Sequence, residues 1–451
     1  MSQISPYYDN IVEAPPQQVA QWDIGSSLIL GNTSYGMDGE WVVIPTRDTH
    51  GHRMRVSIFI VAPAGRGKTK LLKNLITQIR MLTEYIAVFC DPRMEMMDAA
   101  TKLPAHSEYF PVGFKPAKLP IKTYIPKYCL PKETGFDSDP DGIMALDYKM
   151  REAVPFCVSM GSLGYGDMIT LLKYTRPEDE KSARKLWQLW KMFTSRFPNP
   201  ENRTMAMFLN MLTSDVPIRS RSMSRSGTGA VELGGIHMDT ISKIYDDVNT
   251  LGDTDVIGFQ NTNMIMDIQN GMIPVLSNMD SEYPHFDSAY ASVVANQIYR
   301  ERQRLVRGDT TIMKPVWYVA DELQRIGFKG SSFAYFCHHK VLRQGRVALQ
   351  NFIGATQTIV PASTDVDREE IDRNIPMNCD YIICFKLDSI NDIDFIASCK
   401  HLNKSERAIL EDLHFDKERW ISEAVLLSPD RPPQTFYPLP PLAGHKFETE
   451  H

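Results

Sequence analysis

Residues 56–72 read VSIFIVAPAGRGKTKLL. The apolar run VSIFIVA stops at Pro63, small and charged residues follow, and apolar residues then return at helical spacing through TKLLKNLITQIRML (69–82). That switch predicts a buried strand, a tight loop and an amphipathic helix. The loop, Ala62-Pro63-Ala64-Gly65-Arg66-Gly67-Lys68-Thr69, has the spacing of a phosphate-gripping loop, with Ala62 where the usual pattern has glycine. Small residues let backbone N–H groups wrap a β-phosphate. Lys68 would neutralise the β/γ oxygens, and Thr69 would offer its hydroxyl to Mg²⁺ at a helix start whose dipole favours phosphate. Ala62 falls at the strand end, before the loop curls, while Gly65 and Gly67 leave the segments nearest the anion bare. Pro63, Ala64, Gly65, Arg66, Gly67, Lys68, Thr69 and Lys70 are therefore the candidate ATP-binding residues.

Binding is not hydrolysis, which also needs a carboxylate for the metal shell and a group to activate water. Working outward, PVWYVADEL (315–323) is a strand that ends in Asp321 and Glu322. Asp321, with Thr69, would hold Mg²⁺, and Glu322 would polarise the attacking water. A strand ending in two solvated acids is common, so the weight of this pair comes from the loop upstream. NFIGATQT (351–358) is a further strand ending in Thr356 and Gln357, whose amide would touch the γ-phosphate or the water. YIAVFCDP (85–92) is another buried strand, ending in Asp91-Pro92.

Short β runs alternating with helices predict an α/β chain with a mainly parallel central sheet. The boundaries read as an N-terminal arm with a short β-hairpin (1–45), the first part of the core (46–110), a mainly helical insertion with basic loops (111–265), the second part of the core (266–400), and a C-terminal helix with a proline-rich tail (401–451). No apolar stretch approaches the ~20 residues that span a bilayer, and the N-terminus lacks a basic-then-apolar signal pattern; a cytoplasmic protein, or one peripheral to something else, is expected. Seven scattered cysteines without a C-x-x-C pair argue against a zinc site or a disulfide framework. With a net charge of −6, any nucleic-acid contact must come from local basic surface. The best such stretch is PIRSRSMSRSG (217–227), where Arg219, Arg221 and Arg225 alternate with serine; a solvated loop is the plainer reading. Lys115, Lys118, Lys122 and Lys127 form a second basic stretch that reads as surface.

Together, the order of phosphate loop, strand ending in Asp-Pro, helical insertion, Asp-Glu, arginine-bearing helix and Thr-Gln strand resembles the HerA–FtsK superfamily of ring-forming DNA translocases. VFCDPRMEMMD (88–98), VLRQGRVALQNFIGATQT (341–358) and RNIPMNCDYIICFKLDSINDIDFI (373–396) are similar to segments of its HerA branch, over roughly residues 45–400. The resemblance implies a RecA-like (ASCE) P-loop NTPase core working as a homo-oligomeric ring, expected to be a hexamer, with ATP between subunits and sequence-independent duplex DNA in the pore. It places Arg346 at the arginine-finger position, reaching the neighbour's γ-phosphate, with Arg343 as rival; Arg53 or Arg55 would also face a neighbour, and Asp91 matches a functional carboxylate position at the nucleotide site, with a helix cap as its other reading. About 45 residues precede the core, fewer than the HerA N-terminal barrel that docks a nuclease, and the membrane helices of FtsK have no counterpart here. A DNA-packaging, DNA-transfer or DNA-processing motor remains, with a nuclease, capsid or membrane-channel protein as partner. The alternative is an ATPase of the same fold that powers protein secretion or pilus assembly.

Overall fold

The computed structural model describes residues 26–35, 39–103, 118–126, 153–172, 180–214, 218–219, 236–253, 257–258, 264–277, 284–304, 308, 314–360, 370–417, 421–439 and 442–444. Twelve strands of these residues form one sheet: β1 (Ser27–Asn32), β2 (Trp41–Pro45), β3 (Ser57–Val61), β4 (Tyr85–Phe89), β5 (Ile121–Pro126), β6 (Val154–Phe156), β7 (Ile273–Leu276), β8 (Val316–Ala320), β9 (Gln350–Thr356), β10 (Tyr381–Phe385), β11 (Ala424–Leu427) and β12 (Gln434–Pro438). Their spatial order is β2-β1-β12-β11-β10-β3-β9-β8-β4-β7-β5-β6. From β10 to β6 every pairing is parallel, and from β2 to the β11–β10 pair every one is antiparallel.

The parallel strands are apolar along their whole length because both faces are covered. Period two deals their side chains alternately to two cores. Ile58, Ile60, Val88 and Val319 join one core with Leu71, Leu72, Leu75, Ile76 and Ile79 of α1 (Lys68–Met81). Phe59, Val61, Phe89 and Tyr318 join the other. That second core also takes in Leu189, Trp190 and Phe193 of α2 (Glu180–Arg196), Phe208 of α3 (Met205–Ser214), and Ile244 and Val248 of α4 (Met238–Asp253). It closes with Tyr290 and Val294 of α5 (Pro284–Gln303) and Phe333 and Phe336 of α6 (Ser332–Phe336). The α/β architecture with a mainly parallel central sheet is as read from the sequence, but the helical block packs on the sheet's second face and shares its core.

Two boundaries differ from the sequence reading. β5 and β6 fall inside the stretch read as a helical insertion, yet they extend the parallel sheet beyond β7. The segment read as a C-terminal helix with a proline-rich tail supplies β11 and β12, which join the N-terminal hairpin β1–β2 to β10. The cause lies on α1. Gln78 accepts a hydrogen bond from Ile29 N (2.7 Å) and donates to Ile29 O (2.8 Å). Asn74 donates to Leu439 O (2.9 Å) and accepts from Leu442 N (2.6 Å), and the buried Lys73 donates to Gly444 O (3.3 Å). What reads as the solvated face of an amphipathic helix is a buried polar seam that binds both terminal segments.

Candidate nucleotide site

Register brings the site together. Val61 of β3 pairs with Thr356 of β9, and Ala320 of β8 pairs with both Gly354 of β9 and Phe89 of β4. Ala62, Gln357, Asp321 and Cys90 therefore leave the sheet side by side at its C-terminal edge. Ala62 is buried, its N–H bonds to Thr356 O (3.1 Å), and its backbone stays out of the left-handed region. It directly follows β3 and continues its ladder of hydrogen bonds before the loop curls, so a methyl group is tolerated. Gly65 and Gly67 take left-handed φ of 74° and 98°, which glycine adopts without strain. Gly67 then opens α1 with no side chain to accept the first amides. Pro63 O accepts from Arg66 N (3.3 Å) to close the loop, and Ala64 and Gly65 are exposed. Lys70 begins the second half of the helix's first turn. Arg66 points away from the helix axis: it pairs with Asp388 (2.9 Å), and its guanidinium lies 3.5 Å from the centre of the Phe415 ring.

Lys68 is the hub. Its ammonium is 2.5 Å from Asp321 Oδ1 and 2.5 Å from Glu322 Oε1, with Lys68 and Asp321 buried. Burial opposes the lysine's charge, but the two carboxylates outweigh it and hold its pKa raised. Burial also raises the Asp321 carboxyl against the pull of Lys68. Glu322 goes the other way: burial would raise it, but Lys68 and hydrogen bonds from Gln357 and Gln324 hold it below its ordinary value. Gln357 Nε2 donates to Glu322 Oε1 (2.9 Å), and Gln324 Nε2 donates to Glu322 Oε2. Thr356 Oγ1 in turn donates to Gln324 Oε1 (2.7 Å). Glu322 itself sits at φ 49°, ψ 46°, a left-handed conformation that costs a non-glycine residue about 1–3 kcal/mol. Its hydrogen-bonded carboxylate and the adjoining 3₁₀ turn Leu323–Arg325 hold it there. Gln324 was not singled out in the sequence; it follows the acidic pair by two residues, and only the turn folds it back.

Lys68, Asp321, Glu322 and Gln357 thus form one cluster, and Thr69 follows Lys68 in the first turn of α1. Asp91 takes another role. Its Oδ1 and Oδ2 accept the backbone N–H groups of Glu95 and Met96, both at 2.9 Å, so it braces the turn after β4. Burial and the nearby Asp321 charge push its pKa up to about 7. Of the readings kept open for Asp91, the backbone cap is the one with geometry behind it.

Arg346 lies elsewhere. It sits in the turn preceding β9, whereas Gln357 follows that strand, so the two are roughly 20 Å apart along a seven-residue strand. Arg343 and Arg346 are both exposed. Arg53 pairs with Glu84, and Arg55 with Asp380 (3.1 Å), so both are engaged within the chain. Among the DNA-contact candidates, Arg219 lies in a two-residue strand, Ile218–Arg219, paired with Ile236–His237, while Arg221 and Arg225 fall outside the described residues. In the second basic stretch, Lys122 is paired with Asp267 (3.1 Å) and Lys118 is exposed; Lys115 and Lys127 are outside the described residues. No helix among the described residues is long and apolar enough to cross a membrane.

No protein-family model matches the chain, and no curated protein matches it in sequence. Solved structures do. VirB4 of Thermoanaerobacter pseudethanolicus matches with a TM-score of 0.54 at 11% identity, over 92% of this chain and 96% of that one. The bacterial conjugative coupling protein TrwB matches with a TM-score of 0.47 at 12% identity, over 86% and 88%. The shared fold with VirB4 covers nearly the whole of both chains: this chain has the RecA-like P-loop fold, as the order of its motifs predicts.

Proposed function

We propose that the protein is an ATP-hydrolysing motor subunit that assembles with its own copies and moves duplex DNA. The observation that carries the hydrolase reading is the Lys68–Asp321–Glu322 cluster with Gln357 and Gln324 on Glu322. A phosphate loop serving only as a scaffold has no need of an oriented, ionised carboxylate. The donors suit ATP with Mg²⁺: two glycines open the loop for an anion, and a hydroxyl with a carboxylate are the hard oxygen ligands magnesium takes. Thr69 and Asp321 would hold the metal, which on binding neutralises phosphate charge.

The residues' own roles follow. An arriving triphosphate competes with two carboxylates for the Lys68 ammonium. Transfer of that ammonium to phosphate frees both acids. Glu322, aimed by Gln357 and Gln324, then accepts a proton from the water that attacks the γ-phosphorus as the bond to the ADP oxygen breaks, leaving ADP and phosphate. Arg346 cannot serve this site from its own chain, given its place at the other end of β9. It would serve the site of an adjoining copy, where a fixed guanidinium stabilises developing charge.

The DNA half of the reading is supported by the interleaved arginines Arg219, Arg221 and Arg225, a pattern suited to sequence-independent phosphate contacts. The test compares ATP turnover with and without long duplex DNA at low salt. Stimulation by DNA is expected, and it should fade with salt more steeply than in an Arg219/Arg221/Arg225 triple-alanine variant. A rate that ignores DNA would turn the reading toward protein secretion or complex assembly.

A further inference from the structure

The turn that carries Arg346 is held from two sides. It begins where a π-helix, Cys337–Leu342, ends. Arg55, entering from the segment before β3, donates Nη1 to Leu342 O (3.1 Å) while its Nη2 contacts both oxygens of Asp380 (3.1 Å each). Asp380 is pinned in turn, its Oδ2 accepting from Ser57 N (3.0 Å) and Ser57 Oγ (2.6 Å). On the far side of the turn, the buried Arg302 of α5 donates Nε to Ala348 O (2.8 Å).

The turn is also tight within itself. Gly345 N donates to Val341 O (3.1 Å), and Gln350 N donates to Gly345 O (2.9 Å). A Cβ on Gly345 would sit 2.3 Å from Val341 O, so no larger residue fits there. Leu349, at φ 49°, turns the chain into β9. Between the two clamped carbonyls, Arg343, Arg346 and Val347 all point outward, Val347 being 75% exposed. Two inward arginines spend their guanidinium donors on main-chain oxygens that bracket two outward ones. The turn is a rigid prong rather than a pliable loop.

We propose that Arg55 and Arg302 are positioning residues for Arg346, setting where its guanidinium meets the nucleotide site of an adjoining copy of the chain. This rests on the reading of Arg346 as a group acting in trans. Positional precision is what such a group needs, since a displacement of about 1 Å costs on the order of 10²-fold in rate. Lysine at either position keeps the charge but loses the planar fork, which for Arg55 joins Asp380 and Leu342 O at once.

The experiment measures kcat, KM and melting temperature for Arg55→Lys and Arg302→Lys in the full-length protein, each alone and combined with Arg346→Ala. The expected result is a kcat lowered about tenfold in each single variant, with KM for ATP and melting temperature unchanged, and no further loss in the Arg346→Ala background. A further tenfold loss in that background would overturn the proposal, because the inner arginines would then act on turnover by another route. So would a fall in kcat that tracks a fall in melting temperature, which marks a merely structural role. Wild-type turnover retained by Arg346→Ala alone would overturn the trans-arginine reading, and this inference with it.

Discussion

The two ends of the parallel strands hold charge in different ways. At the C-terminal edge, one buried lysine faces two carboxylates, and the cluster is left with an excess of negative charge that a bound metal would meet. At the N-terminal edge, arginines are matched against carboxylates and main-chain carbonyls, and the turn they hold presents further arginines to solvent. The first end is arranged to exchange partners and the second to stay put. Hydrolysis needs the first, and presentation of a fixed cation to another copy needs the second. On the proposed function each end is half of a site, and the halves of one chain lie at opposite ends of the strands.

The largest break in this comparison comes at the exchangeable end. Glu322→Gln removes the proton acceptor but keeps the hydrogen-bonding shape, so turnover should fall by about 10²–10⁴-fold with ATP still bound. Turnover and equilibrium binding of a fluorescent ATP analogue measure the two separately. At the fixed end, Arg346→Ala should lower kcat by about 10³-fold or more, leaving the melting temperature of the isolated chain unchanged. Gln324→Ala sharpens the first end without breaking it: with one of the two amides on Glu322 lost, kcat should fall about tenfold while KM stays within error.

The main site residues were legible in the sequence because their chemistry is local. A strand followed by GRGKT, a strand ending in Asp321-Glu322 and a strand ending in Thr356-Gln357 each announce a position at the sheet's edge, and register does the rest. Gln324, Arg302 and Asp380 were not legible, because their roles depend on what a turn or a distant strand brings near. The antiparallel half of the sheet was hidden for a related reason. Lys73, Asn74, Thr77 and Gln78 occupy the polar stripe of α1, and a polar stripe looks solvated until β1 and the segment from Leu439 to Gly444 are found bonded to it. Gln78→Ala strips the partners of both Ile29 groups and should destabilise the fold by about 1–3 kcal/mol. Hydrogen exchange should locate the loosening in β1 and β2 rather than in β8 or β9.

A smaller effect tests Asp91. Its folded pKa of about 7 stands above the ordinary 3.8, so the folded state binds this proton more tightly. The stability it contributes is fully present below pH 3.8 and is lost as pH rises through 7. Asp91→Asn should flatten that part of the melting-temperature profile, measured without nucleotide or magnesium, while leaving ATP binding in place.

The central claim is that each active site is completed by a second copy of the chain. Lys68→Ala destroys the exchangeable end and Arg346→Ala the fixed end, so each variant alone should keep only a small residual fraction of wild-type turnover. Mixed in one assembly, they form some interfaces that pair an intact Lys68 with an intact Arg346. The account predicts that ATP turnover returns on mixing, rising to a maximum as the two variants approach equal amounts. Mixtures that co-assemble and stay at that residual level at every ratio would contradict it.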